Sequence, residues 1–170
     1  FKRFYILTAA VLLLMTGCGY RLATYDNPML EDVHSIAVPY FKNKTFEAEA
    51  VPIFTNAFIN EFVRGKKLSI SSAANADVVL YGTVRELRKD IIARDLDDKA
   101  NAYRIYASVD VTLEDRRTGS VIYRRNNMYH TEEYPVRSDI SFSEAAKRDA
   151  FEKIAADLAQ RVHDSIMQGF

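Results

Sequence analysis

With 170 residues, 48 % hydrophobic and 27 % charged, the chain is long enough for one real core and carries the charge fraction of an ordinary globular surface. Basic and acidic side chains number 23 each, so the formal net charge is zero and no overall field draws the chain to nucleic acid. The single cysteine, Cys18, excludes an internal disulfide and a cysteine-based metal site.

The N-terminus reads as a targeting segment. Phe1-Lys2-Arg3 is a short basic region, Phe4 to Met15 is apolar apart from Thr8, and small residues follow at Thr16-Gly17. The apolar run falls short of the roughly 20 residues that a bilayer span takes. Met15-Thr16-Gly17-Cys18 resembles the bacterial lipobox, whose cysteine receives a diacylglyceryl thioether and becomes the new N-terminus. Residues 1–17 are thus expected to be a signal peptide, and Cys18 a lipid anchor. Each buried CH₂ contributes roughly 0.8 kcal/mol, so two or three acyl chains hold a protein on a membrane almost permanently. Gly19 follows where Asp would resemble an inner-membrane retention signal. The expected location is therefore the outer membrane, on its periplasmic side. Residues 18–32 are expected to form a tether with a turn at Asp26-Asn27-Pro28 that would stretch to roughly 45 Å.

Residues 33–170 are expected to form one α+β domain. Val33 to Phe41 predicts a first strand, apolar at Ile36 and Val38 and ended near Pro39, followed by a loop at Asn43-Lys44-Thr45. Phe54, Ala57, Phe58 and Phe62 recur at helical spacing and predict a helix from Ala48 to Arg64, with Pro52 in its first turn and Gly65 as its cap. Leu68 to Ser72 predicts a short strand. Asp77 to Ile92 predicts a long one, with Val79, Tyr81, Thr83, Arg85 and Leu87 on one face. Tyr103 to Leu113 alternates strictly, with Ile105, Ala107, Val109 and Val111 between polar residues, as a sheet with one buried face requires. The polar run Asp115 to Ser120 then turns the chain into a partner strand, Val121 to Thr131. Ser141 and Glu144 stand at capping-box spacing before a last helix whose stripe is Phe151, Ile154, Ala155, Leu158, Val162 and Ile166. The order β-α-β-β-β-α argues for a two-layer α+β sandwich: a mixed or antiparallel four-stranded sheet with two helices on one face.

Motifs for chemistry are absent from the sequence. His34, His130 and His163 lie far apart without zinc spacing, and Asp95, Asp97 and Asp98 lack the glycine and bidentate glutamate of a calcium loop. There is no nucleophile elbow and no phosphate loop. The expectation is a non-enzyme without cofactor or metal. Arginines offer the less ordinary signal. Arg85, Arg88, Lys89 and Arg94 lie along the long strand, Arg116 and Arg117 in the turn, and Arg124 and Arg125 on the strand after it. Such a cluster suits phosphate groups, which guanidinium binds in bidentate fashion, unless Glu86, Asp90, Asp95 and Glu132 neutralise it.

Gly17-Cys18-Gly19-Tyr20-Arg21-Leu22 resembles the mature start of the lipopolysaccharide-assembly lipoprotein family LptE. Ile36-Ala37-Val38-Pro39-Tyr40-Phe41-Lys42-Asn43-Lys44-Thr45, Thr55-Asn56-Ala57-Phe58, and the strand Ala76-Asp77-Val78-Val79-Leu80-Tyr81-Gly82-Thr83-Val84 extend the resemblance over most of the mature chain. It implies an outer-membrane lipoprotein that plugs the β-barrel LptD, assists its assembly and helps lipopolysaccharide reach the cell surface. Arg85, Arg88, Lys89, Arg124 and Arg125 would then be candidates for lipid A phosphate contacts. The first strand, helix and Ala-Asp strand also resemble the CsgG and LpoB group, whose members build a secretion pore or activate a peptidoglycan synthase. The Gly-Tyr-Arg-Leu opening and the short chain favour the first family.

Overall fold

The computed structural model describes residues 30–169; the expected signal peptide, Cys18 and nearly all of the tether lie outside the described residues. Six strands and two helices follow in the order β1 (Ser35–Ala37), β2 (Lys42–Asn43), α1 (Ala50–Gly65), β3 (Ser69–Ile70), β4 (Val78–Arg94), β5 (Ala100–Asp115), β6 (Val121–Pro135) and α2 (Ile140–Gln168). The sheet order is β3-β1-β4-β5-β6, with β2 also paired to β4. Pairing is parallel among the short strands and β4, and antiparallel through β4, β5 and β6. This is the expected α+β sandwich, its sheet widened to six strands by the two-residue β2 and β3.

The first strand divides where Pro39 cannot donate to a ladder. Past it the Phe41 amide donates to the Thr55 hydroxyl of α1 at 3.1 Å, and the chain rejoins β4 at Lys42, opposite Thr83. Phe41 lays its ring over Gly82, where an added Cβ would stand 2.2 Å from the ring, so this strand position has room only for hydrogen.

Both helices cover one face. In α1, Phe54, Phe58 and Phe62 are buried as their spacing predicts, and Pro52 sits in the first turn. Each such side chain contributes about 1.5–3 kcal/mol on leaving water. The cap of α1 differs from expectation. Lys66, at φ 57°, takes the left-handed position, while Gly65 is still helical and lies so close to His163 that a Cβ would approach its Nε2 to 2.3 Å. In α2 the cap lies two residues earlier than the expected Ser141. Asp139 accepts hydrogen bonds from the Ser141 and Phe142 amides, and Glu144 instead faces Lys147 at 3.9 Å. The helices run side by side in the same direction. Lys147 meets Glu47 at their N-terminal ends and His163 meets Gly65 at the other.

The expected alternation in β4 fails halfway. Arg85 is an extra residue between the pairs Val84–Val109 and Glu86–Ser108, a β-bulge that shifts the strand's parity. Val78, Leu80 and Val84 face the helices before it, and Leu87 joins their core after it instead of sharing a face with Val79 and Tyr81. Val79 packs with Ala37 and Ala76 in a small cluster of its own. The alternation in β5 holds throughout, with Ile105, Ala107, Val109, Val111 and Leu113 all buried. Strands β4 to β6 run two to four residues beyond the expected ends. Their far part becomes an exposed overhang closed by the turn at Asp95, whose side chain accepts from the Asp97 and Lys99 amides.

Candidate functional site

The sheet face turned away from the helices is polar along much of β4, β5 and β6. Strand alternation aims Arg85, Arg88, Arg104, Tyr106, Asp110 and Arg124 onto it. Three of its four arginines are paired. Arg85 meets Asp110 at 3.2 Å, Arg88 meets Asp90 at 3.1 Å and Glu86 at 3.5 Å, and Arg104 meets Glu133 at 2.6 Å. The Asp90 carboxylate raises the Arg88 pKa further above its already high ordinary value. Arg88 also lies 5.0 Å over the Tyr106 ring, which stacks on Tyr129 at 5.4 Å, so a cation and two rings cross three strands.

The five cations singled out from the sequence divide between two faces. Arg85, Arg88 and Arg124 lie on the helix-free face. Lys89 and Arg125, each next in sequence to one of them, point to the helix side. Lys89 lies 4.6 Å over Tyr103, which stacks on Tyr134, and Arg125 lies over Tyr123 at 5.8 Å. Tyr134 is buried there, and desolvation, aided by Tyr103, Glu144 and Glu47, pushes its hydroxyl up to about 12. Arg94 holds the Asp98 carbonyl, and Arg116 donates to the Ala76 carbonyl. The partners Asp110, Tyr106, Tyr129 and Glu133 were not singled out beforehand. The polar alternate positions of β5 were the available signal.

Elsewhere the polar groups serve the fold. The Ser35 hydroxyl and the His34 and Ser35 amides all donate to Asp77, and the serine hydrogen bond leads in holding its carboxyl below the usual range. Backbone N–H groups of Thr118 and Arg117 do the same for Asp115. His34 contacts the Asp32 carbonyl, His130 lies between Glu132 and Asp157, and His163 packs on Phe62. No group of three metal-ligating side chains occurs among the described residues. A groove of about 420 Å³ between the helices is lined by Asn56, Asn60 and two ion pairs, Glu61–Arg64 and Arg148–Glu152. Nothing in it pairs a nucleophile with a base.

The model of the lipopolysaccharide-assembly family LptE matches residues 33–166. The chain belongs to that family. No curated protein matches it by sequence. Solved structures share the fold at low identity. A protein from Xanthomonas campestris, XCC0632, is 14 % identical with a TM-score of 0.55, covering 85 % of this chain and 91 % of that one. A Caulobacter crescentus protein is 20 % identical with a TM-score of 0.54, covering 75 % and 87 %. The minor lipoprotein of Acinetobacter baumannii is 14 % identical with a TM-score of 0.52, covering 79 % and 92 %.

Proposed function

We propose that this LptE-family chain is an outer-membrane lipoprotein, anchored through Cys18 on the periplasmic side, that plugs and helps assemble the lipopolysaccharide-translocating β-barrel LptD. The observation that carries this reading is the family match, which spans the whole sheet, α1 and α2 as far as Ile166. A broad, wet, largely charge-paired sheet face supports it, because the lumen wall of a large barrel is itself polar and hydrated. The absence of converging reactive groups in the helix groove points the same way. Lipopolysaccharide delivery follows from the same reading. Its phosphates would meet Arg85, Arg88 and Arg124 on the helix-free face, and Lys89 and Arg125 on the other, in competition with the carboxylates already there.

The test is co-purification. A C-terminally tagged, lipidated chain is extracted from outer membranes in mild detergent and its partners are identified by mass spectrometry. A stoichiometric large β-barrel is the expected result. Recovery of a peptidoglycan synthase, or of no barrel, overturns the proposal and favours a regulatory lipoprotein.

A further inference from the structure

Two bulges flank the same point of β5. On one side Arg85 is the extra residue in β4, between the partners of Val109 and Ser108. On the other, β6 has an extra residue between Met128, opposite Val109, and Arg125, opposite Val111, and Asn127 there adopts φ 54°. A left-handed backbone at a residue other than glycine persists only where its surroundings hold it. One side chain reaches both irregularities. Asp110 accepts the Asn127 backbone N–H on Oδ1 at 2.9 Å and pairs through Oδ2 with the Arg85 guanidinium at 3.2 Å.

We infer that Asp110 is a positioning residue that staples the two bulges across β5 and so sets the direction of the β4–β5 overhang. Bulges bend and twist the strand that carries them. Two at one level, on both neighbours of one strand, make a hinge line across the sheet. On one side of the line the sheet is pinned by Val84, Val109 and Val111 against the helices. On the other, Ala107, Ile105 and Leu87 still pack on that core before the ribbon runs out to Ile91, Ile92 and Leu96, all exposed. Loss of the carboxylate frees Arg85 and leaves the Asn127 amide without its acceptor, so both bulges relax together. The parity shift that turns Leu87 toward the core then loses its fixed point.

Hydrogen exchange followed by mass spectrometry on the full chain tests the assignment. In Asp110→Ala, amides in 86–94, 100–108 and 126–131 are expected to exchange about tenfold faster, while 78–83 and 111–114 keep their protection. Two milder variants separate the arms and keep the test decisive should Asp110→Ala fail to fold. Arg85→Gln is expected to loosen 86–94 and spare 126–131. Asp110→Asn, which retains an oxygen for the Asn127 amide, is expected to do the same. Acceleration spread evenly over the sheet, or none in the overhang, overturns the assignment, as does equal loosening of both arms in the milder variants.

Discussion

The two halves of the β4–β5 ribbon differ in residues, the first largely apolar and the second rich in charge along β4, and they are held by different forces. Under the helices, Val78, Leu80, Val84, Val109, Val111 and Leu113 are removed from water, and the rings of α1 and the stripe of α2 close over them. Past Ser108, Ala107 and Ile105 are still buried and Leu87 packs on the same core, and only farther out does the ribbon leave the helices. There the strands are held by their ladder and by cross-strand pairs: Arg88 with Tyr106, Lys89 with Tyr103, Arg104 with Glu133. Burial is worth several kcal/mol per large side chain, whereas a cross-strand pair is worth about 0.2–1. The covered half therefore sets whether the molecule folds, and the overhang is free to vary in what it touches.

That contrast is broken most directly in the core. Phe58 is fully buried and its ring centre stands 4.8 Å from that of Phe41. Phe58→Ala is expected to cost about 3–5 kcal/mol, read as a lowered urea midpoint. A loss under 1 kcal/mol would mean that the two rings do not anchor α1 to the sheet. Gly82→Ala comes next. The added methyl meets the Phe41 ring, and overpacking of this kind costs about 1–3 kcal/mol. Unchanged stability would show that Phe41 has another rotamer to move into.

The same contrast explains what was legible in the sequence. The helices were readable because Phe54, Phe58 and Phe62, or Ile154, Leu158 and Val162, recur at the period of a buried stripe. β5 was readable because nothing interrupts its alternation. β4 was misread past Val84 because a bulge changes parity without changing composition, and Arg85 carries no mark of being the extra residue. The caps were misplaced for a related reason. Asp139, Ser141 and Gly65 are all good cap residues, and only the backbone decides that Asp139 caps α2 while Gly65 yields its place to Lys66. The cations could be found but not sorted, since neighbours such as Arg88 and Lys89 face opposite ways in any strand. Their pairing with Asp90, Asp110 and Tyr103 depends on register between strands.

Tyr134 sits where the covered half ends, and its titration sharpens the boundary. Its hydroxyl ordinarily ionises near 10, and burial raises it to about 12 in the folded protein. The folded state thus holds the proton more tightly. The contribution is complete below pH ~10 and is lost as pH rises toward ~12, on the order of 2 kcal/mol across the window. Tyr134→Phe is expected to flatten that alkaline decline; a decline of the same size in the variant would assign it elsewhere. At the start of α2, Asp139→Ala removes the acceptor for the Ser141 and Phe142 amides and is expected to cost about 1 kcal/mol in thermal or urea unfolding. An equal loss from Ser141→Ala with none from Asp139→Ala would restore the capping box.

The smallest effect lies in the overhang. Arg104 and Glu133 form its shortest ion pair at 2.6 Å, yet both side chains are about half exposed, at 49 % and 57 %. Exposed pairs contribute about 0.2–1 kcal/mol and weaken as salt rises. A double-mutant cycle with Arg104→Ala and Glu133→Ala is expected to give a coupling in that range, falling between low and high salt. A coupling above about 2 kcal/mol would place the overhang under the same kind of constraint as the core, since only desolvated pairs reach it. A coupling near zero would leave the ladder and the ring stacks to hold the ribbon. The overhang's direction would then depend all the more on the Asp110 contacts at its base, which join three strands where Arg104 and Glu133 join two.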